Sequence, residues 1–370
     1  VTGGSLACAR ITPSAADVAA GDGRRYFAVQ ADLDGASLSG VSGLVSATVQ
    51  RLSVDINRAD GAFGAVSAQA LDWTSQLALE GGGFGTILDL GLLLDPPVAD
   101  GPLAFTLTRE LFQASGRFEI NLLNLIRGSA DFAFVLQQAD VQAPGGDTVT
   151  DASLVLFALS DADLFVGVGD VGFQVTDGSL AIAQIDAADG RSWLAVSGSV
   201  ASAGLTGISG FTATVSNISI GVNRGTNAAA LDWSTAVEYD DANGVAFGDV
   251  VDPGRYLDPS EDLSITFTGE LFEASGAIEL AIDGFFEASG QFAFSTRTVN
   301  VEVAAGDTLT DADLVLLAAS QLNGTVGAGG VGFSISGGSL AVAQISHDVD
   351  PRTFTAARGR LGTAQLTGIP

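Results

Sequence analysis

Residues 306–345, GDTLTDADLVLLAASQLNGTVGAGGVGFSISGGSLAVAQI, decide the fold, because residues 146–185 repeat them without a gap as GDTVTDASLVLFALSDADLFVGVGDVGFQVTDGSLAIAQI. Of the 40 aligned positions, 24 are identical. The match extends further, since Leu71-Asp72-Trp73 returns 160 residues later as Leu231-Asp232-Trp233. A fixed period of this kind is typical of chains built from tandem structural units. We therefore predict tandem repeats of about 160 residues.

The repeat divides the chain into three predicted units. Residues 1–174 form the first, residues 175–334 the second, and residues 335–370 the start of a third. The chain begins and stops inside a unit, which predicts a window on a much longer repetitive polypeptide. Unit one is longer by 174 − 160 = 14 residues, and the excess lies around Thr12–Ala19 and Ala59–Gln69. Insertions after which the core pattern resumes in register are typical of surface loops.

Alternation of apolar and polar residues predicts strands almost throughout the chain. From Ile278 to Phe294 the even positions are apolar or Gly, whereas the odd positions carry most of the polar residues. Ser264–Phe267 is predicted as a further strand, and Asp177-Gly178 and Gly337-Gly338 are predicted as hairpin turns. The expected fold class is all-β, with antiparallel sheets in a sandwich or solenoid-like arrangement. Because repeat arrays stack each unit on its neighbour, we expect an elongated molecule.

Charge and composition exclude several classes of protein. The formal net charge is −28, and all 15 basic residues are Arg. Binding to nucleic acid requires a basic footprint, so no nucleic-acid partner is expected. No apolar run reaches the roughly 18 residues that a transmembrane helix requires. Cys8 is the single cysteine and aligns with Ile182 and Val342, so we predict that it is a small buried hydrophobic residue.

An acidic motif recurs in the two complete copies of the repeat. Asp147 and Asp151 stand in GDTVTD, and Asp307 and Asp311 stand in GDTLTD. Carboxylates with hydroxyl and backbone oxygens in one loop are ligands that calcium prefers. The alternative is an Asx-type turn in which the first Asp caps the loop before a strand. Calcium at these four residues is the one metal interpretation that the sequence offers, and no other cofactor is expected.

Three arginines precede an aromatic residue by two positions, each after an acidic turn. They are Arg25, Arg191 and Arg352, and we predict that each guanidinium contacts a carboxylate of its turn. Trp73 and Trp233 are predicted to pack in a core or between units, with an exposed sugar-stacking platform as the alternative.

Catalytic groups are not repeated. His347 is the only histidine, and its counterparts in the other units are not His. A catalytic triad needs a His in every active site, so repeated units that share one histidine do not each contain a triad. No pair of carboxylates is singled out among the 43 acidic residues for glycoside hydrolysis. We therefore expect a protein that is not an enzyme.

The repeat as a whole resembles the tandem β-rich modules of giant secreted bacterial surface proteins and adhesins. The resemblance rests on GVGFSISGGSLAVAQI at 330–345, LTGISGFTATVSNISIGVN at 205–223 and the Leu-Asp-Trp element. It implies an acidic, non-enzymatic structural segment that is extracellular or at the cell surface and forms or decorates a fibre, sheath or stalk. Exposed strand edges predict self-association with neighbouring repeats or other copies of the protein.

Two other functions remain open at this point. An adhesin module would bind a glycan or another cell surface through the insertions Thr12–Ala19 and Ala59–Gln69. A carrier would hold acyl chains in an apolar β groove, which requires the face that carries Phe272, Phe286, Phe292 and Phe294 to be open.

Overall fold

The computed structural model describes residues 1–40, 45–79, 83–94, 103–239, 246–304, 306–329, 331–347 and 349–368. Helical structure in these ranges consists of α1 (Ala15–Ala19) and two 3-10 turns, Leu90–Leu93 and Pro253–Tyr256. The strands in these ranges are β1 (Ser5–Ile11), β2 (Arg25–Gly40), β3 (Val45–Asp60), β4 (Ala62–Phe63), β5 (Val66–Ser67), β6 (Leu111–Leu122), β7 (Ile126–Gln142), β8 (Thr148–Val168), β9 (Val171–Asp186), β10 (Ser192–Thr206), β11 (Phe211–Thr226), β12 (Val237–Glu238), β13 (Leu271–Ile282), β14 (Phe286–Ala304), β15 (Asp307–Ala328), β16 (Val331–Ser346), β17 (Phe354–Arg360) and β18 (Thr363–Thr367).

One large antiparallel sheet contains sixteen of these strands. Its order is β1-β2-β3-β6-β7-β8-β9-β10-β11-β13-β14-β15-β16-β17, with β12 paired to β7 and β18 paired to β16. The order begins at β1 and ends at β17, so the sheet is open. The predictions of an all-β class and of antiparallel pairing are confirmed.

The predicted unit boundaries fall inside strands. Residues 174 and 175 lie in β9, and residues 334 and 335 lie in β16, so the sheet crosses both positions without interruption. The division into residues 1–174, 175–334 and 335–370 therefore stays a prediction about the sequence.

Asp177-Gly178 and Gly337-Gly338 do not form hairpin turns, so that prediction is wrong. Both dipeptides lie inside long strands, where Asp177 has φ +52° and Gly337 has φ +68°. The paired strands shift register beside them, which identifies the two positions as β-bulges. A bulge and a hairpin turn both use the left-handed backbone region, so the local signal does not separate them.

The two insertions of the first unit lie at the surface and contact each other. Thr12–Ala19 contains α1, which begins after the Ser14 cap, and Ala59–Gln69 contains the β4–β5 hairpin. The amide of Gly23, just after the first insertion, donates a 3.0 Å hydrogen bond to the carbonyl of Ala62. The insertions thus form one projecting structure.

Two long segments cover the same face of the sheet. We call the described residues of 68–110 the first capping segment and those of 227–270 the second capping segment. Trp73 and Phe105 of the first pack on β1 and β2, whereas Trp233, Val251 and Ile265 of the second pack on β7 to β10. Both tryptophans are fully buried, so the prediction that they pack in a core is confirmed.

Ser264–Phe267 lies in the second capping segment and is not a strand, so that prediction is wrong. Ile265 is 1% exposed, and its amide donates a 2.9 Å hydrogen bond to the carbonyl of Val251. The alternation of this stretch therefore reflects contact with the core and not ladder pairing.

Cys8 is exposed, which contradicts its predicted burial. It pairs with Val29 in β1, the first strand of the sheet, and its side chain lies on the face opposite to the first capping segment. The alignment with Ile182 identified the correct register position but not the exposure of the edge. In the described parts of the chain, no helix has the length and apolar character needed to cross a membrane.

Candidate functional site

The second capping segment is held on the sheet by a buried Trp–Asn contact. The Nε1–H of Trp233 donates to Oδ1 of Asn223 at 2.9 Å, and Nδ2 of Asn223 donates to the carbonyls of Leu231 at 2.8 Å and Gly269 at 2.9 Å. Asn223 and Trp233 are both fully buried. One strand side chain thus holds both ends of the capping segment.

The first capping segment is attached in the same way. Trp73 donates to Asn57 at 2.9 Å, and Asn57 donates to the carbonyls of Leu71 and Arg109 at 2.7 Å. The analysis of the sequence missed both asparagines. The available signal was an Asn at the end of an apolar strand pattern, in VDIN at 54–57 and IGVN at 220–223. A buried amide at such a position needs partners, which predicts a long-range hydrogen bond.

Contacts around Tyr239 join the two capping segments. Nη1 of Arg109 donates a 2.8 Å hydrogen bond to the carbonyl of Tyr239, and the Tyr239 hydroxyl donates to the carbonyl of Val250 at 2.8 Å. The guanidinium of Arg255 lies 4.8 Å from the Tyr239 ring centroid. Burial raises the pKa of Tyr239 above its usual range, so the phenol stays protonated.

The acidic motifs are engaged by arginine. Arg191 contacts Asp147 at 2.8 Å and Asp189 at 2.8 Å, and Arg352 makes the equivalent contacts with Asp307 and Asp350 at 2.8 and 2.5 Å. The predicted arginine–turn pairing is therefore confirmed at both positions. In the first unit the prediction was wrong by one residue, because Arg24 and not Arg25 contacts its turn carboxylate, Asp22, at 2.8 Å. The spacing to the carboxylate decides the pairing, since all three arginines follow their aspartate by two positions.

Asp151 and Asp311 are separated from this ion pairing by the backbone. Their φ values are +56° and +58°, and their amides donate 2.9 Å hydrogen bonds to Asp140 and Asn300. Among the described residues, no group of three or more His, Cys, Asp or Glu side chains is arranged to hold a metal ion. Calcium at Asp147, Asp151, Asp307 and Asp311 stays a prediction.

The Arg352–Asp350 pair makes part of the stability depend on pH. A side-chain hydrogen bond from Arg352 lowers the pKa of Asp350 from 3.8 to about 2. Because the folded pKa lies below the unfolded one, the contribution is complete above the unfolded value and is lost as the pH falls toward 2. We expect Arg352→Gln to return the Asp350 pKa toward 3.8, as measured by carboxyl NMR titration.

An exposed arginine of the neighbouring strand, replaced as Arg360→Gln, is the control for this measurement. Its substitution should leave the Asp350 titration unchanged. Equal shifts in the two variants would attribute the low pKa to general charge and not to the ion pair.

Gln137 is a buried polar residue without a partner. It is 3% exposed, and neither its Nε2 nor its Oε1 has a hydrogen-bond partner in the structure. An apolar side chain of similar size removes that desolvation cost, so we expect Gln137→Leu to raise the free energy of unfolding by about 1–2 kcal/mol. Chemical denaturation measures the change. The exposed neighbour in Gln138→Leu is the matched control, and an equal gain there would contradict the explanation.

A polar groove of about 740 Å³ crosses the sheet beyond the second capping segment. The guanidinium of Arg127 lies 4.5 Å from the Phe165 ring centroid at this groove. Positions 160 residues later carry different chemistry, because Asn121, Arg127 and Phe165 correspond to Ala281, Glu287 and Thr325. Other polar residues that line the groove are Thr48, Glu119, Ser129, Asp163 and Gln174.

Comparison of the chain with protein-family models, curated proteins and solved structures found no match. The function is therefore argued from the contacts of the chain's own residues.

Proposed function

We propose that this chain is a structural repeat segment of a very large extracellular protein that forms or decorates a fibre, sheath or surface stalk. The observation that carries the proposal is the core shared across residue 174. Trp233 and Val251 of the second capping segment pack with Val135, Leu154 and Leu156 on one side of that boundary. On the other side the same cluster contains Ile185 and Trp193.

Sharing one core favours a function in span and cohesion. Because a capping segment completes the core of strands that precede it, each added repeat would extend the same sheet and bind to the one before. An elongated array of units of about 160 residues follows from this arrangement. A net charge of −28 gives such an array long-range self-repulsion, which keeps acidic surface proteins dispersed in a salty medium.

Electron microscopy of the purified protein, with and without a chelator, tests this proposal. Regular filaments or straight rods with an axial repeat set by these units are the expected result. Dissolution by the chelator would assign calcium to the loops of Asp147 and Asp307. Compact isolated particles at all concentrations would contradict the structural proposal.

An adhesin module is the second candidate, and the polar groove at Arg127 favours it. Arginine, amide, carboxylate and aromatic side chains together suit a glycan, and their replacement at equivalent positions is typical of a specific site. Glycan-array binding that Arg127→Ala abolishes would support this candidate. Retention of binding in that variant would shift attention to the projecting insertions Thr12–Ala19 and Ala59–Gln69.

A further inference from the structure

The sheet face opposite to the capping segments is apolar across ten strands. Val135, Leu156, Ala183 and Ala195 are buried beneath the second capping segment. Side chains alternate along a strand, so their neighbours point to the other face. One register line on that face consists of Phe132, Leu159, Leu180, Gly198, Ile220, Ala274, Phe294, Leu317, Val342 and Ala357.

This line, which we call the apolar face together with its neighbours, carries no charge at any of its ten positions. The adjacent line is apolar as well, and it runs through Phe134, Phe157, Ile182, Val196, Val222 and Phe272. Several of these side chains remain open to solvent, since Phe272 is 41% exposed, Leu317 42% and Ile220 42%. Faces of this kind mark interaction surfaces.

The total surface of the molecule points the same way. The accessible area is 20524 Å² for a chain of 37.3 kDa. A compact monomer of that mass exposes roughly 13,700 Å². The open, single-layer sheet therefore leaves an excess of several thousand Å² that a compact protein would bury.

We propose that a second copy of this chain packs its apolar face against this one, so that two sheets form a sandwich. Fourteen strands at a spacing of about 4.8 Å, each about 50 Å long, present roughly 3,300 Å². A stable dimer needs only about 800 Å² from each partner. Sheets packed about 10 Å apart meet this requirement with room for the twist of each sheet.

The distribution of charge favours a second copy over other partners. The acidic turns at Asp147, Asp189 and Asp307 lie at strand ends, so face-to-face packing keeps these carboxylates at the rim. Anionic lipid headgroups would meet a chain of net charge −28 and be repelled. This lateral contact does not depend on the axial repeat, because it uses the opposite face of the sheet.

Sedimentation equilibrium of the whole chain tests the proposal. The wild type is expected to dimerise, and Phe272→Glu and Leu317→Glu are each expected to weaken the dimer by about 30-fold or more, because each buries an unpaired carboxylate. Val250→Glu is the matched control, since Val250 is 60% exposed and belongs to the second capping segment on the other face. Circular dichroism verifies that each variant retains its strands.

Cysteine labelling supplies a second measurement that needs no buried charge. Leu317→Cys and Val250→Cys, each combined with Cys8→Ser, are labelled with maleimide below and above the dimer concentration. About tenfold slower labelling of Leu317→Cys alone is expected in the dimer. A monomeric wild type at about 100 µM, equal protection of both cysteines, or protection of Leu317→Cys only by phosphatidylcholine vesicles would overturn the proposal.

Discussion

Replacement of Asn223 by Ala is expected to lower the free energy of unfolding by about 3–5 kcal/mol. The side chain is fully buried, and it bonds Trp233 together with the carbonyls of Leu231 and Gly269. Its loss leaves three buried groups without partners, and each such group costs about 1–3 kcal/mol. Partial relaxation keeps the total below the simple sum. Urea denaturation followed by tryptophan fluorescence measures the change.

Asn227→Ala is the control for this variant. Asn227 is exposed and donates one 3.0 Å hydrogen bond to the carbonyl of Gly190, so its loss should cost less than about 1 kcal/mol. If the two variants were equally stable, the Trp–Asn contact would not hold the second capping segment in place. Asn57→Ala should reproduce the large loss, because Asn57 makes the same three contacts in the first capping segment.

The second large effect is expected at Leu156, which the second capping segment covers. Leu156→Ala should lower the free energy of unfolding by about 3–4 kcal/mol, because it removes buried methyl groups and leaves a cavity. Leu156 is 1% exposed and belongs to the cluster that contains Trp233. Chemical denaturation measured with and without the substitution gives the value.

Leu316 is a control that the chain itself provides, because it stands 160 residues after Leu156 in the matching sequence. It pairs with Ser295 and Ala343 and is half-buried. Leu316→Ala should therefore cost only about 1 kcal/mol. Similar losses at both positions would show that the capping segment contributes little to the core at Leu156.

Local patterns predict much of this sheet because its contacts are mostly between strands adjacent in the chain. Val331–Ile335 and Leu314–Ala318 read as strands and are strands. Gly284, expected to interrupt the pattern, has φ +70° in the turn between β13 and β14. Failures occurred where one local signal suits two structures, as at Asp177-Gly178, where a positive φ serves a bulge and not a turn.

The candidate sites were less predictable. Pairing of Arg191 with the acidic turn follows from short-range spacing, and it was found. Its second partner, Asp147, is 44 residues away along the chain, and only the pairing of strands brings the two together. The clamp of Asn223 on Gly269 spans 46 residues and has no local signature beyond a polar residue in an apolar pattern.

The sequence by itself determined the repeat, the strand-rich class and the antiparallel order, because alternation and short connections are local properties of the chain. Only the tertiary structure decided which face each alternation serves. Val135 and Phe134 are neighbours of equal apolar character, yet one is buried under the second capping segment and the other lies on the apolar face. That difference arises from a segment about one hundred residues away, whose position depends on long-range hydrogen bonds and packing that no local pattern encodes.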